Sequence, residues 1–172
     1  MKELADPQEL AKLLETVDYI ADAGLATVGY LAINLQRPLL VEGEPGTGKT
    51  ALALALSESL EIPLIRLQCY EGIDAQQALY DWDFARQILH LRTLEATKTA
   101  ADAEEIGGEL HSEKFLLARP ILKALQEAPA VLLIDEVDRA DDEFEAFLLE
   151  VLSQYQVSIP EIGTVKAETP PI

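Results

Sequence analysis

A glycine-rich run between an apolar segment and a helix-forming segment constrains this chain more than any other feature. The run Gly43-Glu44-Pro45-Gly46-Thr47-Gly48-Lys49-Thr50 has the complete spacing G-x-x-x-x-G-K-[ST]. Before it, Pro38–Glu42 is predicted to form a short buried strand, and after it Ala51–Leu56 begins a predicted helix. Strand, loop and helix in this order are the context in which the motif binds the phosphates of a nucleoside triphosphate.

The chemistry of phosphate binding explains these residue types. Backbone N–H groups can surround a phosphate only where glycine permits close approach, and the N-terminus of the following helix adds partial positive charge. Lys49 is predicted to reach the β- and γ-phosphates, and the Thr50 hydroxyl is predicted to ligate Mg²⁺. A plain strand-to-helix turn would require neither residue. The predicted nucleotide contacts in this segment are Gly43, Glu44, Pro45, Gly46, Thr47, Gly48, Lys49, Thr50 and Ala51.

A second acidic feature follows a later apolar run. Val131–Ile134 has the continuous apolar character of a strand buried in a parallel sheet, and Asp135 and Glu136 come directly after it. The carboxyl ends of parallel strands are where such sheets bind ligands. Asp135 is therefore predicted to hold the Mg²⁺ shell, directly or through water, and Glu136 to activate the attacking water. Acids that merely cap the next helix are the alternative.

Composition limits the classes of protein to be considered. The chain has 172 residues, 49% of them hydrophobic, which suits one folded domain. Its 13 basic and 31 acidic residues give a net charge of −18, which opposes nucleic-acid binding. Cys69 is the only cysteine, so an internal disulfide framework is excluded and a reducing cytosol is favoured. With neither a signal-peptide pattern nor a long apolar stretch, a cytoplasmic protein without membrane insertion is predicted.

The whole sequence is predicted to consist of a helical lead-in over residues 1–37 and a partial nucleotide-binding core over residues 38–172. A stretch near 95–113, rich in Ala, Thr, Asp and Glu, is predicted to be a solvent-facing insertion. The other predicted elements are a strand at Leu64–Gln68, a short helix capped by Asp74, helices over Ala85–Leu94 and Phe115–Gln126, a helix starting at Asp141, and a hairpin formed by Gln156–Ile159 and Thr164–Ala167.

Five segments can be compared with a known family: Tyr19–Asp22, Gln36–Gly43, Leu79–Asp83, Glu113–Leu116 and Asp135–Ala140. With the two motifs above, they resemble the MoxR-type AAA+ ATPases, and among these the CoxD-like group. The resemblance covers nearly the whole chain, and the Tyr-Asp-Trp-Asp segment with its downstream insertion makes it specific for the subgroup. It implies the P-loop NTPase fold, an α/β sandwich of helices on both faces of a parallel sheet.

The resemblance also implies a function. Members are oligomeric, usually hexameric, ATP-driven remodellers of partner proteins, often with a von Willebrand factor A domain protein and often in metalloenzyme maturation. CoxD-like members are linked to assembly of the molybdenum and copper centre of carbon monoxide dehydrogenase. ATP and Mg²⁺ are the implied cofactors. Tyr19 and Ile20 fall where this class lines its adenine pocket, although packing in the core would explain both residues as well.

Two other functional classes stay open. A nucleotide-binding interaction module that does not hydrolyse ATP would use the same loop. A P-loop kinase would also use it, but Glu136 beside Asp135 disfavours that class. The aromatic and acidic segment Tyr80–Phe84 is interpreted either as a surface that grips a client or as buried anchors at the start of a helix. His90 and His111 have no metal-ligand spacing with Cys69 or with each other, so no chemistry is assigned to them.

One part of the family pattern is not found in this sequence. The sensor strand, the arginine finger, the last strand and the helical lid would follow Glu168–Ile172. In the AAA+ strand order 5-1-4-3-2, the sensor strand lies between Pro38–Glu42 and the strand at Val131, so the sheet is predicted to be open in the middle. We hypothesise a segment of a longer ATPase, or a chain completed by another polypeptide. Direct pairing of Pro38–Glu42 with Ala130–Ile134 would contradict that hypothesis.

Overall fold

The computed structural model describes residues 4–44, 46–96 and 109–172. Its helices are α1 (Pro7–Glu15), α2 (Ala23–Leu35), α3 (Lys49–Leu60), α4 (Ala75–Leu79), α5 (Phe84–Ala96), α6 (Pro120–Gln126) and α7 (Asp142–Gln154). Its strands are β1 (Leu64–Gln68), β2 (Tyr80–Trp82), β3 (Leu116–Ala118), β4 (Val131–Asp135), β5 (Gln156–Ile159) and β6 (Gly163–Lys166). Most of the predicted insertion near 95–113 lies outside the described residues.

The central sheet is parallel and has helices on both faces. β1 and β4 pair in parallel, with Gln68 opposite Asp135 at their carboxyl ends. On one face, Val131 packs with Leu52 and Leu56 of α3. On the other face, Ile65 packs with Ala124 of α6. This arrangement confirms the predicted α/β fold and brings the ends of two apolar strands to one edge.

The strand predicted at Pro38–Glu42 is not formed, because no strand among the described residues pairs with it. Leu39 and Val41 are half-buried against the core that includes α1 and α3, whereas Leu40 is 71% exposed. The alternation gives this segment one inward face, but its backbone forms no ladder of hydrogen bonds with any strand in the described part of the chain. The prediction of a buried strand is therefore wrong here.

The edge of β4 that faces away from β1 is contacted by the backbone of Ile172. The Leu132 N–H donates to the Ile172 carbonyl over 2.8 Å, and the Ile172 N–H donates to the Ala130 carbonyl over 2.9 Å. Within the described residues, Pro38–Glu42 does not pair with β4. The pairing that would contradict the open-sheet hypothesis is absent from this part of the chain, and the hypothesis stays a prediction.

Residues 115–126 differ from the single helix predicted for them. Leu116–Ala118 forms β3, which pairs antiparallel with β2, and only Pro120–Gln126 is helical. Proline at the first helical position lacks the N–H group and disfavours helix in the residue before it, so the preceding segment is left to pair as a strand. The Arg119 N–H then donates to the Leu79 carbonyl over 2.9 Å, which joins this pair of strands to the end of α4.

The two N-terminal helices pack on the core. Asp6 caps α1 by accepting a hydrogen bond from the Glu9 N–H over 2.8 Å, as its sequence predicts. Leu10 and Leu14 of α1 are almost fully buried and belong to the same cluster as Leu52 of α3. The division between residues 1–37 and 38–172 stays a prediction, because α1 and α3 share one core.

The C-terminal elements agree with the sequence. Asp141 caps α7, and β5 and β6 form the predicted antiparallel hairpin. The Tyr155 hydroxyl at the end of α7 donates to the Gln36 carbonyl over 3.0 Å, which ties this end of the molecule to the segment before the glycine-rich loop. Within the described ranges, every helix is too short or too polar to cross a membrane.

Candidate functional site

The glycine-rich loop leads directly into α3. Gly46 and Gly48 have φ angles of 84° and 88°, a region that side chains with a Cβ atom rarely adopt. Gly48 is the N-terminal cap of α3, so Lys49 and Thr50 occupy the first turn, where the N–H groups are not bonded within the helix. Pro45 lies outside the described residues, and Ala51 is an exposed residue of the same turn.

Lys49 lies against the backbone of the loop. Its Nζ donates to the Gly43 carbonyl over 2.6 Å and to the Glu44 carbonyl over 2.9 Å. The Thr47 hydroxyl donates to the same Glu44 carbonyl over 2.9 Å. These contacts hold the ammonium group beside the first turn of α3, where the helix N-terminus also favours an anion.

Thr50 and Asp135 are brought together although they are distant in sequence. The Thr50 Oγ1 atom donates to Asp135 Oδ2 over 3.4 Å, which joins the first turn of α3 to the carboxyl end of β4. Hydroxyl and carboxylate oxygens are the ligands that Mg²⁺ prefers, and this ion takes few protein ligands when phosphates supply the others. The donor set therefore fits Mg²⁺ bound together with a nucleotide. No larger group of acidic, His or Cys ligands occurs among the described residues.

Asp135 also forms an ion pair that the sequence analysis did not predict. Arg66 on β1 donates through Nη2 to Asp135 Oδ2 over 2.7 Å and to Gln68 Oε1 over 2.6 Å. The other oxygen, Asp135 Oδ1, accepts the Glu136 N–H over 3.1 Å. Both carboxylate oxygens of Asp135 thus have hydrogen-bond donors within the protein.

Glu136 is paired with a second arginine that the sequence analysis missed. Arg139 Nη1 donates to Glu136 Oε2 over 2.9 Å, and this hydrogen bond raises the pKa of the guanidinium group. Glu136 has a φ angle of 53°, so the backbone turns sharply after β4. The Glu136 side chain is half exposed and therefore accessible from solvent.

One signal in the sequence could have found these two arginines. Arg66 lies in a strand that is otherwise aliphatic up to Gln68, and Arg139 follows Glu136 by three residues. A cation inside an apolar strand of a parallel sheet needs an anionic partner at the sheet edge. Register, which places Arg66 beside β4, is the information that the sequence lacked.

The two residues predicted to line the adenine pocket have different surroundings. Tyr19 is half-buried and packs against the cluster that includes Leu14 of α1, and burial raises the pKa of its hydroxyl. Ile20 is 86% exposed. Core packing accounts for Tyr19 but not for Ile20, and a role in adenine binding stays a prediction for both.

The segment Tyr80–Phe84 divides in a similar way. Tyr80 and Trp82 are half-buried on β2 and meet edge to face, with their ring centroids 5.9 Å apart. Phe84 starts α5 and is 62% exposed. The helix begins after the strand, so the prediction of anchors at a helix start describes neither Tyr80 nor Trp82. A client-gripping role for the segment stays a prediction.

Comparison with known proteins agrees with this geometry. The profile of the family described as AAA domain (dynein-related subfamily) matches residues 38–171, which include both the glycine-rich loop and the Asp135-Glu136 pair. Members of this class bind nucleotide, usually with Mg²⁺, and typically form oligomers. No solved structure matches the chain.

Two curated relatives are longer proteins that are described as uncharacterized. An uncharacterized protein of Staphylococcus aureus (strain bovine RF122 / ET3-1) is 29% identical over 80% of this chain and 44% of its own length. An uncharacterized protein of Staphylococcus epidermidis (strain ATCC 35984 and its synonyms) is 25% identical over 92% of this chain and 52% of its own length. The chain thus spans about half the length of these relatives. Because the family profile covers most of the sequence, including both halves of the site, the chain belongs to the AAA domain family, dynein-related subfamily, of the AAA+ ATPases.

Proposed function

We propose that this chain binds Mg²⁺-ATP at the edge formed by the glycine-rich loop and β4, and that it hydrolyses the γ-phosphate bond. The observation that carries the proposal is the 3.4 Å contact between Thr50 Oγ1 and Asp135 Oδ2. It places a hydroxyl from the first turn of a helix and a carboxylate from a strand end at one point. A P-loop nucleotide site requires this pair of oxygens to hold its metal ion.

Each residue of the site has a distinct proposed role. The residues from Gly43 to Thr50 other than Pro45, which has no N–H group, would surround the phosphates with backbone N–H groups. Lys49 would exchange its two loop carbonyls for the β- and γ-phosphate oxygens. Thr50 and Asp135 would hold Mg²⁺, which neutralises phosphate charge when it is bound. Glu136 orients the attacking water and accepts its proton, a role that requires the carboxylate to leave Arg139.

The biological role proposed for this activity is protein remodelling. The resemblance of Leu79–Asp83 and Asp135–Ala140 to MoxR-type and CoxD-like ATPases supports an oligomeric ATPase, hexameric in that family, that acts on a partner protein. Work with a von Willebrand factor A domain protein in metalloenzyme maturation, including a molybdenum and copper centre, belongs to the same proposal. The acidic surface, net charge −18, favours a protein client over nucleic acid.

The first experiment measures ATP binding and steady-state hydrolysis in parallel for the wild type, Lys49→Ala and Glu136→Gln. Lys49→Ala should weaken nucleotide binding and lower turnover by about 10²-fold or more, because a charge aimed at the phosphates is removed. Glu136→Gln should retain binding and lose about 10²- to 10⁴-fold in turnover, because only the proton acceptor is removed. Binding is followed with a fluorescent ATP analogue, and hydrolysis by phosphate release.

Two control variants show whether these effects belong to the site. Lys12→Ala removes a lysine from α1, and Asp138→Asn removes an exposed carboxylate two residues from Glu136. Both should bind and hydrolyse ATP as the wild type does. Turnover that survives Glu136→Gln unchanged would contradict the role of Glu136. Tight binding with no turnover in any variant would favour the alternative, a nucleotide-binding interaction module.

A further inference from the structure

Arg66 reaches the proposed metal site from the neighbouring strand. In the β1 and β4 register Gln68 is opposite Asp135, and Arg66 lies two residues earlier on the same face of β1 as Gln68. Its guanidinium group bridges Gln68 and Asp135 with contacts of 2.6 and 2.7 Å. The arginine side chain is 52% exposed and the aspartate side chain 20% exposed, so the pair lies at the surface of the site.

The carboxylate oxygen that Arg66 contacts is the one that faces Thr50. Asp135 Oδ2 accepts from Arg66 Nη2 and lies 3.4 Å from Thr50 Oγ1, whereas Oδ1 is bonded to the Glu136 N–H. If Thr50 and Asp135 hold the metal ion, as proposed above, the guanidinium group and Mg²⁺ share one oxygen. Two cations close to one carboxylate oxygen repel each other, and Mg²⁺ tolerates little distortion of its ligand geometry.

We propose that Arg66 is a positioning residue that competes with Mg²⁺ for Asp135 and thereby sets the metal concentration at which the site is occupied. Asp135 exchanges the guanidinium group for the metal as the site becomes loaded. Gln68 is the second acceptor of the same Arg66 nitrogen, and it holds the released side chain beside the site. This inference rests on the proposed function, because it assigns a regulator to the proposed Mg²⁺-nucleotide site.

The test measures metal affinity instead of turnover. Wild type, Arg66→Gln and Arg66→Lys are loaded with a non-hydrolysable ATP analogue, and Mn²⁺ is titrated in by electron paramagnetic resonance as a substitute for Mg²⁺. Arg66→Gln should bind Mn²⁺ about two- to fivefold more tightly, the range expected when an exposed ion pair is removed. Arg66→Lys keeps the charge and should remain within about twofold of the wild type.

A control separates the local effect from overall charge. Arg92→Gln removes the same charge from an exposed arginine of α5, and its Mn²⁺ affinity should equal that of the wild type. Binding of the ATP analogue is measured in EDTA for every variant, because the analogue contacts the loop without needing Asp135. Thermal unfolding in EDTA, where no metal is bound, checks that each variant is folded.

The outcomes distinguish the two proposals. Tighter Mn²⁺ binding in Arg66→Gln alone supports the competition. Analogue binding with unchanged or weaker Mn²⁺ affinity in Arg66→Gln overturns this inference and leaves the proposed function standing. An equal gain in Arg92→Gln also overturns it, since the effect would then come from net charge. If the wild type binds neither analogue nor Mn²⁺, the proposed function fails and the inference fails with it.

Discussion

At the scale of single residues, Cys69 connects the buried core to the acidic end of β4. Its side chain is fully buried, and its N–H donates to the Asp135 carbonyl over 2.9 Å. Burial raises the pKa of the thiol, and the negative charges of Asp135, Asp138 and Glu136 raise it further. At neutral pH the thiol is therefore both inaccessible and protonated, and the neighbouring carboxylates of the site favour the protonated form.

Cys69 should react slowly with alkylating reagents until the protein unfolds. Iodoacetamide at about pH 8 should modify the native protein at least about tenfold more slowly than the protein in urea, because the thiolate is scarce and shielded. The modified fraction is followed by mass spectrometry. Equal rates in the two conditions would contradict the buried position.

The raised pKa also predicts how stability depends on pH. The unfolded thiol ionises near its ordinary pKa of about 8.5, whereas the folded thiol keeps its proton to higher pH. Near and above the pKa of the unfolded thiol, the unfolded state binds fewer protons than the folded state. The free energy of unfolding should therefore fall as pH rises from about 8 to 9.5. Urea unfolding at several pH values should show a shallower fall in Cys69→Ala. A parallel dependence in both proteins would assign the fall to other groups.

At the scale of elements, the starts of four described helices follow from capping residues. Asp6, Asp22, Asp74 and Asp141 each accept a hydrogen bond from a backbone N–H three residues later, a pattern visible in sequence. For α7 the bonded N–H belongs to Phe144, whose side chain is buried in the core, so the cap also fixes where the apolar face begins.

Loss of the α7 cap should destabilise the protein measurably. Asp141→Ala removes the acceptor of the 2.9 Å bond from the Phe144 N–H and should lower the free energy of unfolding by about 1 kcal/mol. Glu150→Ala is the matched control, because Glu150 is an exposed acid near the other end of the same helix. It should change stability little. Urea unfolding monitored by circular dichroism compares the two variants, and equal stabilities would show that the cap is not needed.

Elements whose structure depends on distant partners were predicted less well. The apolar residues of Pro38–Glu42 suggested a strand, but a strand requires a neighbour, and none pairs with this segment in the described part of the chain. Leu116 and Leu117 fit the apolar pattern of a helix. Pro120 disfavours helix in the residue before it, however, and the two leucines pair with β2 instead. Thr50 lies 3.4 Å from Asp135, as their proposed roles at one metal ion require, although no paired strand precedes the loop among the described residues. The two arginine partners could not be predicted, because they depend on register and side-chain reach.

At the scale of the whole molecule, the charge of −18 acts on stability as well as on partner choice. Ion pairs neutralise some carboxylates locally, including Asp135, Glu136 and Asp81, but acidic residues outnumber basic ones by 31 to 13. Mutual repulsion of like charges destabilises a compact state, and dissolved salt screens it.

Salt should therefore raise the thermal unfolding midpoint. Between ~20 mM and ~300 mM NaCl the midpoint should rise by about 2 to 4 °C, the shift that about 1 kcal/mol produces in a domain of this size. Choline chloride should act equally if screening is the cause. A rise with NaCl alone would indicate specific ion binding, and a fall would show that attractive pairs dominate the surface electrostatics.

The antiparallel pair of β2 and β3 lies at both ends of the long connection between these strands. Trp82 is opposite Leu116, and Arg119 forms an ion pair with Asp81 over 3.2 Å where this pair of strands meets α4 and α6. Because of these contacts, the connection between β2 and β3 begins and ends on elements that are already joined. Substitutions within that connection, away from β2 and β3 themselves, should therefore leave the register of the two strands unchanged.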